Sequence, residues 1–309
     1  MKRIVLSLLI VLGVFTGATA QKANMDARKL QLALFAISNL YVDSTSETKL
    51  VEDAIVGMLD KLDPHSNYMD PEETKEMTEP LQGNFDGIGI QFNMLTDTLY
   101  VIQVIPGGPS EKVGLMAGDR IVTVDDSLFV GKKVTNERAM RTLKGPKGSQ
   151  VKLGIKRTGE KDLLHFNITR GDIPQNTVDA AYMLNDDIGY VKVSKFGRTS
   201  HVELLNALAQ LNHKKCKGLI IDLRGNTGGY MEAAIRMVNE FLPEGKLIVY
   251  TQGRKYPRAE EFANGTGSCQ KMPLVVLIDE GSASASEIFT GAIQDNDRGT
   301  VVGRRSFGK

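Results

Sequence analysis

The sequence predicts an α/β core with a largely parallel sheet, preceded by a small β-rich region and, before that, by a helical segment. Three patterns in the 309 residues support this prediction. After residue 176, short apolar runs alternate with helical patterns, which is typical of a parallel sheet with crossover helices. Residues 81–175 show strand-like alternation with many glycines, and residues 24–80 repeat apolar side chains at helical spacing.

The composition is that of a globular chain of two or three domains. Hydrophobic residues make up 41% of it, and a net charge of +1 gives no reason to expect nucleic-acid binding. Residues 1–20 have the pattern of a secretory signal peptide, with Lys2 and Arg3, an apolar run from Ile4 to Val14, and Ala18-Thr19-Ala20 before the cleavage point. Because that run is shorter than the ~20 residues of a membrane span, we expect no stable membrane insertion after cleavage.

The helical segment is expected to break at Leu62-Asp63-Pro64-His65-Ser66, because a proline disfavours helix at the residue before it. His65 is a candidate catalytic or metal-binding residue. No second ligand stands near it at metal spacing, so a structural turn is the favoured interpretation.

The candidate site lies in the stretch from Asp279 to Phe289. The continuous apolar run Leu274–Ile278 before it predicts a strand buried on both faces, and the apolar residues after it repeat at helical spacing. Ser284 therefore lies at a strand-to-helix turn, where free N–H groups can hold an oxyanion. Ser284 and Glu287 also form a capping box, and capping alone would explain both residues.

A second apolar strand near the end of the chain leads to Lys309, 25 residues after Ser284. With this spacing the sequence resembles the carboxyl-terminal processing peptidases, or tail-specific proteases, which carry a Ser-Ala-Ser-Glu turn and a Phe-Gly-Lys-Gly turn at about this separation. The resemblance implies a serine endopeptidase in which Ser284 is the nucleophile and Lys309 its general base. It implies no cofactor and no metal. A buried lysine can serve as a base because desolvation lowers its pKa by up to about 3–5 units.

Residues 81–175 resemble a PDZ domain, and Pro106-Gly107-Gly108-Pro109 and Gly118-Asp119-Arg120-Ile121 are its most specific marks. Gly87, Ile88, Gly89 and Ile90 form the candidate carboxylate-binding loop. Such a loop turns consecutive N–H groups toward a carboxylate while the next strand edge pairs with an extended peptide. The implied partner is a polypeptide substrate with a free C-terminal tail. The alternative is that these glycines only serve turns.

The run Asp-Leu-Arg-Gly-Asn-Thr-Gly-Gly at residues 222–229 follows a buried strand, and its glycines let backbone N–H groups approach a ligand. Phosphate binding is a weaker interpretation, because no Gly-Lys-Ser/Thr ending is present. The resemblance implies that the N–H of Ala285 and the N–H of Gly228 or Gly229 form the oxyanion hole. The sequence does not choose between the two glycines, and we name Gly228.

The domain organisation follows from these segments: a signal peptide at 1–20, a helical segment at 21–80, a PDZ domain at 81–175 and an α/β peptidase core at 176–309, with Ile173-Pro174 near the last boundary. Cys216 and Cys269 both precede apolar strands. If those strands are parallel neighbours, a disulfide and two free thiols are both open.

The resemblance has further implications. The family's glycine and glutamine after the lysine are absent, so we expect a fragment of the parent enzyme that binds peptides but cleaves slowly. Slow cleavage is expected because a terminal carboxylate beside Lys309 favours the ammonium form. Export to a bacterial periplasm or cell envelope and a homodimer through the N-terminal helices are also expected. The alternative function is a non-catalytic envelope protein that binds C-terminal peptides.

Overall fold

The computed structural model describes residues 25–131 and 133–309, so the predicted signal peptide lies outside the described residues. The chain divides after Thr74 into two compact units. The helices are α1 (25–40), α2 (Glu47–Leu59), α3 (Pro71–Thr78), α4 (Pro109–Lys112), α5 (Asn136–Leu143), α6 (Ser200–His213), α7 (Met231–Asn239) and α8 (Ala285–Asp295). The strands are β1 (Asn84–Gly87), β2 (Ile90–Leu95), β3 (Thr98–Val104), β4 (Arg120–Val124), β5 (Ser127–Leu128), β6 (Gln150–Lys156), β7 (Leu164–Thr169), β8 (Gly171–Pro174), β9 (Val178–Met183), β10 (Ile188–Val193), β11 (Gly218–Asp222), β12 (Leu247–Thr251), β13 (Ala259–Phe262), β14 (Leu274–Ile278) and β15 (Thr300–Gly303).

The first unit contains α1 and α2 and confirms the predicted helix break. After α2, Asp63 organises a turn: its Oδ1 accepts the backbone N–H of His65 at 2.8 Å, and its Oδ2 accepts the hydroxyl of Ser66 at 3.0 Å. The hydrogen bond from the His65 backbone holds the pKa of Asp63 below its ordinary value. Within residues 25–131 and 133–309, no cluster of three or more His, Cys, Asp or Glu side chains is placed to hold a metal ion.

The apolar side chains of the first unit are largely exposed. None of the residues of α2 is buried, and Phe35 in α1 is 61% exposed. The exposed large apolar residues of α1 are Met25, Leu30, Leu32, Phe35, Ile37 and Leu40. No helix among the described residues combines the length and the hydropathy that crossing a bilayer requires.

The β-rich part of the second unit is a six-stranded sheet in which β2, β3, β4, β6 and β7 follow one another and β5 pairs with β4. Its strands enclose an apolar core that includes Leu99, Ile121 and Leu153, all with no exposed surface. β2 forms one edge of this sheet. Thr135 caps the N-terminus of α5, since its Oγ1 accepts the N–H of Arg138 at 3.1 Å. The β-rich prediction for this region is therefore confirmed.

A separate two-stranded ribbon joins the two ends of the β-rich part. β1 pairs antiparallel with β8, and Phe85 lies opposite Ile173. The predicted boundary at Ile173-Pro174 thus falls within β8, beside the strand that leads into the candidate carboxylate loop.

The C-terminal part of the second unit is built on a five-stranded sheet in the order β15-β14-β11-β10-β9. Its strands are parallel except β9, which confirms the largely parallel sheet. Helices α6, α7 and α8 form one buried cluster with alternate residues of these strands. Val276 is fully buried, whereas Val275 and Leu277 are half-buried. The sequence predicted that β14 is buried on both faces, and this is wrong for the described residues. Helices α6, α7 and α8 cover one face of the sheet, and no described element covers the other.

Both cysteines lie in this core as buried free thiols. Cys216 Sγ donates to the carbonyl of Gly218 at 3.0 Å, and burial raises the pKa of the Cys269 thiol. The sequence left open whether Cys216 and Cys269 form a disulfide, and in the structure both are free thiols.

Candidate active site

Ser284 lies at the turn between β14 and α8, as the sequence predicts. Its backbone has φ 54° and ψ −113°, a left-handed conformation that is costly for a residue with a Cβ, on the order of 1–3 kcal/mol. The hydroxyl of Ser282 holds the turn, since it donates to Leu223 O at 2.9 Å and accepts the N–H of Asp279 at 3.0 Å. Ser284 is half-buried on this strained strand-to-helix turn. The nucleophilic serines of α/β-hydrolases also stand on strained turns between a strand and a helix.

The glycine-rich loop that follows β11, residues 225–229, packs directly against this turn. A Cβ added to Gly228 would lie 2.8 Å from the Cβ of Ser284 and 3.0 Å from the backbone nitrogen of Ala285. A Cβ on Gly229 would collide with a backbone carbonyl oxygen on the loop's other side. Both glycines have positive φ, 106° and 143°. The close approach of two backbones is therefore what requires glycine here.

Two backbone N–H groups at this contact have no acceptor among the described residues, those of Ala285 and Gly229. The N–H of Gly228 differs, because it donates to Asn226 Oδ1 at 2.9 Å. Free N–H groups next to a serine hydroxyl are the donors from which an oxyanion hole is built.

Glu287 joins the serine turn to the end of the chain. Its Oε2 accepts the N–H of Ser284 at 2.8 Å and the N–H of Lys309 at 3.1 Å, and its Oε1 accepts the N–H of Gly308 at 2.6 Å and the hydroxyl of Ser306 at 2.8 Å. Burial alone would raise the pKa of Glu287, but these hydrogen bonds together hold it below its ordinary value. The Glu287 carboxylate, which the sequence explained by capping, thus also anchors residues 304–309, the terminal segment.

Two further contacts, one from the backbone and one between exposed side chains, join the terminal segment to residues before Ser284. The N–H of Phe307 donates to Ser282 O at 2.9 Å, and Arg304 forms a two-pronged ion pair with Glu280 at 2.6 and 2.9 Å. The side chain of Lys309 is exposed, and within the described residues no hydrogen bond joins it to the hydroxyl of Ser284. The structure therefore brings the backbone of Lys309 to the site.

A cluster of charged and polar side chains around the buried Asp222 precedes the glycine-rich loop. The carboxylate of Asp222 accepts hydrogen bonds from Arg224 Nη2 and from the hydroxyl of Tyr190, each at 2.7 Å, and Lys192 lies at 3.5 Å. Burial opposes ionisation of Asp222, but Arg224 and Tyr190 hold its pKa well below its ordinary value, while burial and Asp222 raise the pKa of Tyr190 to about 12. These residues line a cleft of about 590 Å³ on the sheet face that the three helices leave open.

The candidate carboxylate loop lies between the ribbon and the edge strand of the six-stranded sheet. Gly87 ends β1, Ile90 begins β2, and Gly89 has φ 77°. The carbonyl oxygens of Ile88 and Gly89 accept hydrogen bonds of 3.0 Å from the N–H groups of Ser110 in α4 and Ile105 after β3, respectively. The N–H groups of Ile88 and Gly89 have no acceptor among the described residues. The loop thus presents free donors beside an open strand edge.

Sequence reasoning assigned no role to three features of this site: the Asp222 cluster, the side chain of Asn226 and the reach of Glu287 to the terminal segment. An acidic residue and an arginine two positions apart before a glycine-rich loop are a detectable signal for the first. The other two depend on partners 19 or more residues away along the chain or on loop geometry, and no local pattern shows them.

Comparison with known proteins matches these parts of the chain to three family models. Residues 187–309 match the model of Peptidase family S41, residues 87–168 match that of the PDZ domain, and residues 14–74 match that of the Activating protease CtpB N-terminal domain.

Curated relatives agree with the family models. A carboxy-terminal-processing protease of Bartonella bacilliformis is 38% identical over 289 residues, which cover 90% of this chain and 65% of that protein. Carboxy-terminal processing protease CtpB of Bacillus subtilis is 35% identical over 303 residues, which cover 95% of this chain and 62% of that protein. The solved structure of the photosystem II D1 C-terminal processing protease is 27% identical, with a TM-score of 0.48, over 91% of this chain and 81% of that one. The chain spans less than two thirds of the length of these curated relatives.

The serine turn, the glycine-rich loop and the model matches define a chain of peptidase family S41 that carries a PDZ domain. Within that family it belongs with the carboxy-terminal processing proteases, to which its curated relatives are assigned by name. The resemblance stated from the sequence is confirmed.

We expect replacement of Glu287 by Gln to release the terminal segment from the serine turn. The amide offers one acceptor where the carboxylate offers two, and losing hydrogen bonds to a charged group costs about 1.5–3 kcal/mol each. Amide hydrogen exchange at Gly308 and Lys309 measures the release. Because the pKa of Glu287 is lowered from 4.5, its contribution is present above pH 4.5 and is lost as the pH falls below that value. Wild type should lose this protection on acidification, and Glu287→Gln should lack it throughout.

Glu280→Gln is the matched control for this prediction, since it breaks an ion pair between side chains that are 68% and 73% exposed. Exposed pairs contribute about 0–1 kcal/mol, so protection of the terminal segment should change little. Equal loss of protection in both variants would show that Glu287 is not the anchor.

Proposed function

We propose that this chain carries the PDZ and catalytic parts of an exported serine endopeptidase that binds the C-terminal tail of a polypeptide and cleaves it with Ser284 and Lys309. The observation that supports this most strongly is the convergence on Glu287. One carboxylate holds the backbone of Ser284, on its strained turn, and the backbone of Lys309. Two free N–H groups adjoin the same serine.

In the proposed reaction, Ser284 Oγ attacks the scissile carbonyl while Lys309 Nζ accepts the hydroxyl proton. The carbonyl electron pair moves to oxygen and forms an oxyanion, which the backbone N–H groups stabilise. Collapse of this intermediate breaks the C–N bond, and Lys309 returns the proton to the leaving amine. Water then hydrolyses the acyl-enzyme, with Lys309 again as base.

For the oxyanion hole we propose the N–H groups of Ala285 and Gly229. The sequence named Gly228 and left Gly229 open. The choice of Gly229 is supported by the hydrogen-bond pattern, because the N–H of Gly228 already donates to Asn226. The exposed Lys309 side chain needs a cover to act as a neutral base, and a substrate lying over the site would provide the desolvation that lowers its pKa.

For tail recognition we propose the loop from Gly87 to Ile90. Its support is the pair of free N–H groups at Ile88 and Gly89 and the open edge of β2 that follows them. An extended peptide can add to such an edge through its main chain while its terminal carboxylate meets the loop. Export is supported by the signal-peptide pattern at residues 1–20, which lie outside the described residues.

The first prediction concerns the nucleophile. Ser284→Ala should lower single-turnover cleavage of an unstructured polypeptide by roughly 10⁴-fold or more, as removal of a catalytic serine does elsewhere. Ser268→Ala is the matched control, because its hydroxyl bonds only to nearby groups away from the site. Labelling of Ser284 by a fluorophosphonate separates the enzyme from a non-catalytic peptide-binding protein. Undiminished cleavage by Ser284→Ala would overturn the assignment.

The second prediction concerns the tail. Amidating the C-terminus of a bound peptide should weaken its binding by roughly tenfold or more, because loss of a charge-assisted hydrogen bond typically costs about 1.5–3 kcal/mol. Fluorescence anisotropy with matched acid and amide peptides measures this. Equal affinity for the two forms would rule out carboxylate recognition by the loop.

The third prediction concerns association. We propose that a second copy of the chain covers the exposed apolar residues of α1, since large exposed apolar patches mark interaction surfaces. Phe35→Glu should shift the mass measured by light scattering from dimer to monomer, whereas Lys29→Glu, at an exposed polar position of the same helix, should not. An unchanged mass in Phe35→Glu would reject this interface.

A further inference from the structure

Asn226 is a fully buried polar residue in the glycine-rich loop. Its side chain spans two elements: Oδ1 accepts the N–H of Gly228 at 2.9 Å, and Nδ2 donates to Val193 O, at the end of β10, at 3.0 Å. Both polar ends of the amide are therefore satisfied, and the side chain fixes the distance between the loop and the sheet.

The loop needs such a support because of its glycines. Gly225, Gly228 and Gly229 all have positive φ, and a glycine backbone can leave that conformation at little cost. The hydrogen bond to Asn226 Oδ1 fixes the direction of the Gly228 N–H. The next peptide, whose N–H is that of Gly229, is left without an acceptor beside Ser284.

The backbone of the same residue holds the serine turn. Asn226 O accepts the N–H of Ala283 at 3.0 Å and the hydroxyl of Ser286 at 2.8 Å. These two residues flank the Ser284-Ala285 pair. One residue thus sets the position of the loop through its side chain and the position of the serine turn through its carbonyl.

We infer that Asn226 is a positioning residue of the oxyanion hole, which aims the N–H groups of Gly229 and Ala285 at one point. This inference rests on the proposed peptidase function and names a residue that does not touch the substrate. Its side chain acts through Gly228, so the effect is expected in the transition state and not in substrate binding.

Asn226→Ala should lower kcat by about 10²- to 10³-fold, comparable with the loss of one oxyanion-hole donor, and should change KM by no more than about threefold. Asn296→Ala is the matched control. Its amide also joins an element end to a neighbouring carbonyl, donating to Leu247 O and Ala292 O at 2.9 Å, but at the opposite end of α8. It should lower the free energy of unfolding and leave kcat unchanged.

The pH dependence of kcat in Asn226→Asp distinguishes a positioning role of Asn226 from a purely structural one. A protonated aspartic acid keeps an acceptor for Gly228 and an O–H donor for Val193 O, whereas the carboxylate loses that donor and puts a negative charge beside the developing oxyanion. Burial raises the pKa of such a carboxyl. As the pH falls, kcat of Asn226→Asp should therefore rise relative to wild type, even though protonation of the lysine base lowers both rates.

The experiment compares wild type, Ser284→Ala, Asn226→Ala, Asn226→Asp and Asn296→Ala in the complete polypeptide, with rates and unfolding measured across the pH range. If Ser284→Ala cleaves like wild type, the proposed function fails. If Ser284→Ala is inactive while folded Asn226 variants keep the wild-type kcat, or show a pH-independent ratio to wild type, the inference about Asn226 fails and the function stands. Failure of both Asn226 variants to fold while Asn296→Ala folds also overturns it, because Asn226 would then serve the fold.

Discussion

The site depends on the contact between two loops, in which the N–H of Ala283 donates to the carbonyl of Asn226 at 3.0 Å. These loops follow β11 and β14, which are neighbouring parallel strands whose carboxyl ends lie at the same edge of the sheet. The contact is close enough that Gly228 can carry no side chain. Asp279 adds a second link, because its Oδ1 accepts the N–H of Gly225 at 2.8 Å.

The charge of the Glu287 carboxylate holds the terminal segment against the serine turn. Burial alone would favour a protonated Glu287, but four donors surround the carboxylate and stabilise its charged form. Three of them are backbone N–H groups, so the anchor fixes the course of the main chain on both sides. A carboxylate is better suited to this than an amide because both of its oxygens accept hydrogen bonds.

Much of this was predictable from local sequence. Apolar runs separated by helical patterns gave the order of elements in the core, and the run of glycines indicated where a backbone must approach closely. The capping relation of Ser284 and Glu287 was also evident, and in the structure the Glu287 carboxylate accepts the N–H of Ser284. What escaped prediction is non-local: the Ser286 hydroxyl and the Asn226 carbonyl are 60 positions apart, and the left-handed backbone of Ser284 follows from such contacts.

The burial of the sheet was mispredicted for a related reason. A continuous apolar run predicts a strand covered on both faces, yet Val275 and Leu277 in β14 are only half-buried. The open face still carries apolar side chains in its middle and the Asp222 cluster at the end next to the glycine-rich loop. Periodicity reports which residues favour burial, but it does not report what covers them.

The ribbon of β1 and β8 connects the candidate carboxylate loop to residues near the glycine-rich loop. β1 runs directly into residues 88–90, and at its other end Leu81 O accepts the N–H of Arg198 at 2.9 Å, while Gln82 Nε2 donates to the hydroxyl of Tyr230 at 3.2 Å. Tyr230 follows Gly229 in the chain, and its N–H donates to Phe196 O at 2.7 Å.

The residues that join the ribbon to the glycine-rich loop are closely packed. A Cβ on Gly83 would lie 2.6 Å from a methyl carbon of Thr199, and one on Gly197 would lie 2.9 Å from Leu81 O. Contacts from residues 81–82 to Arg198 and Tyr230 therefore link the ribbon to the segment that follows Gly229.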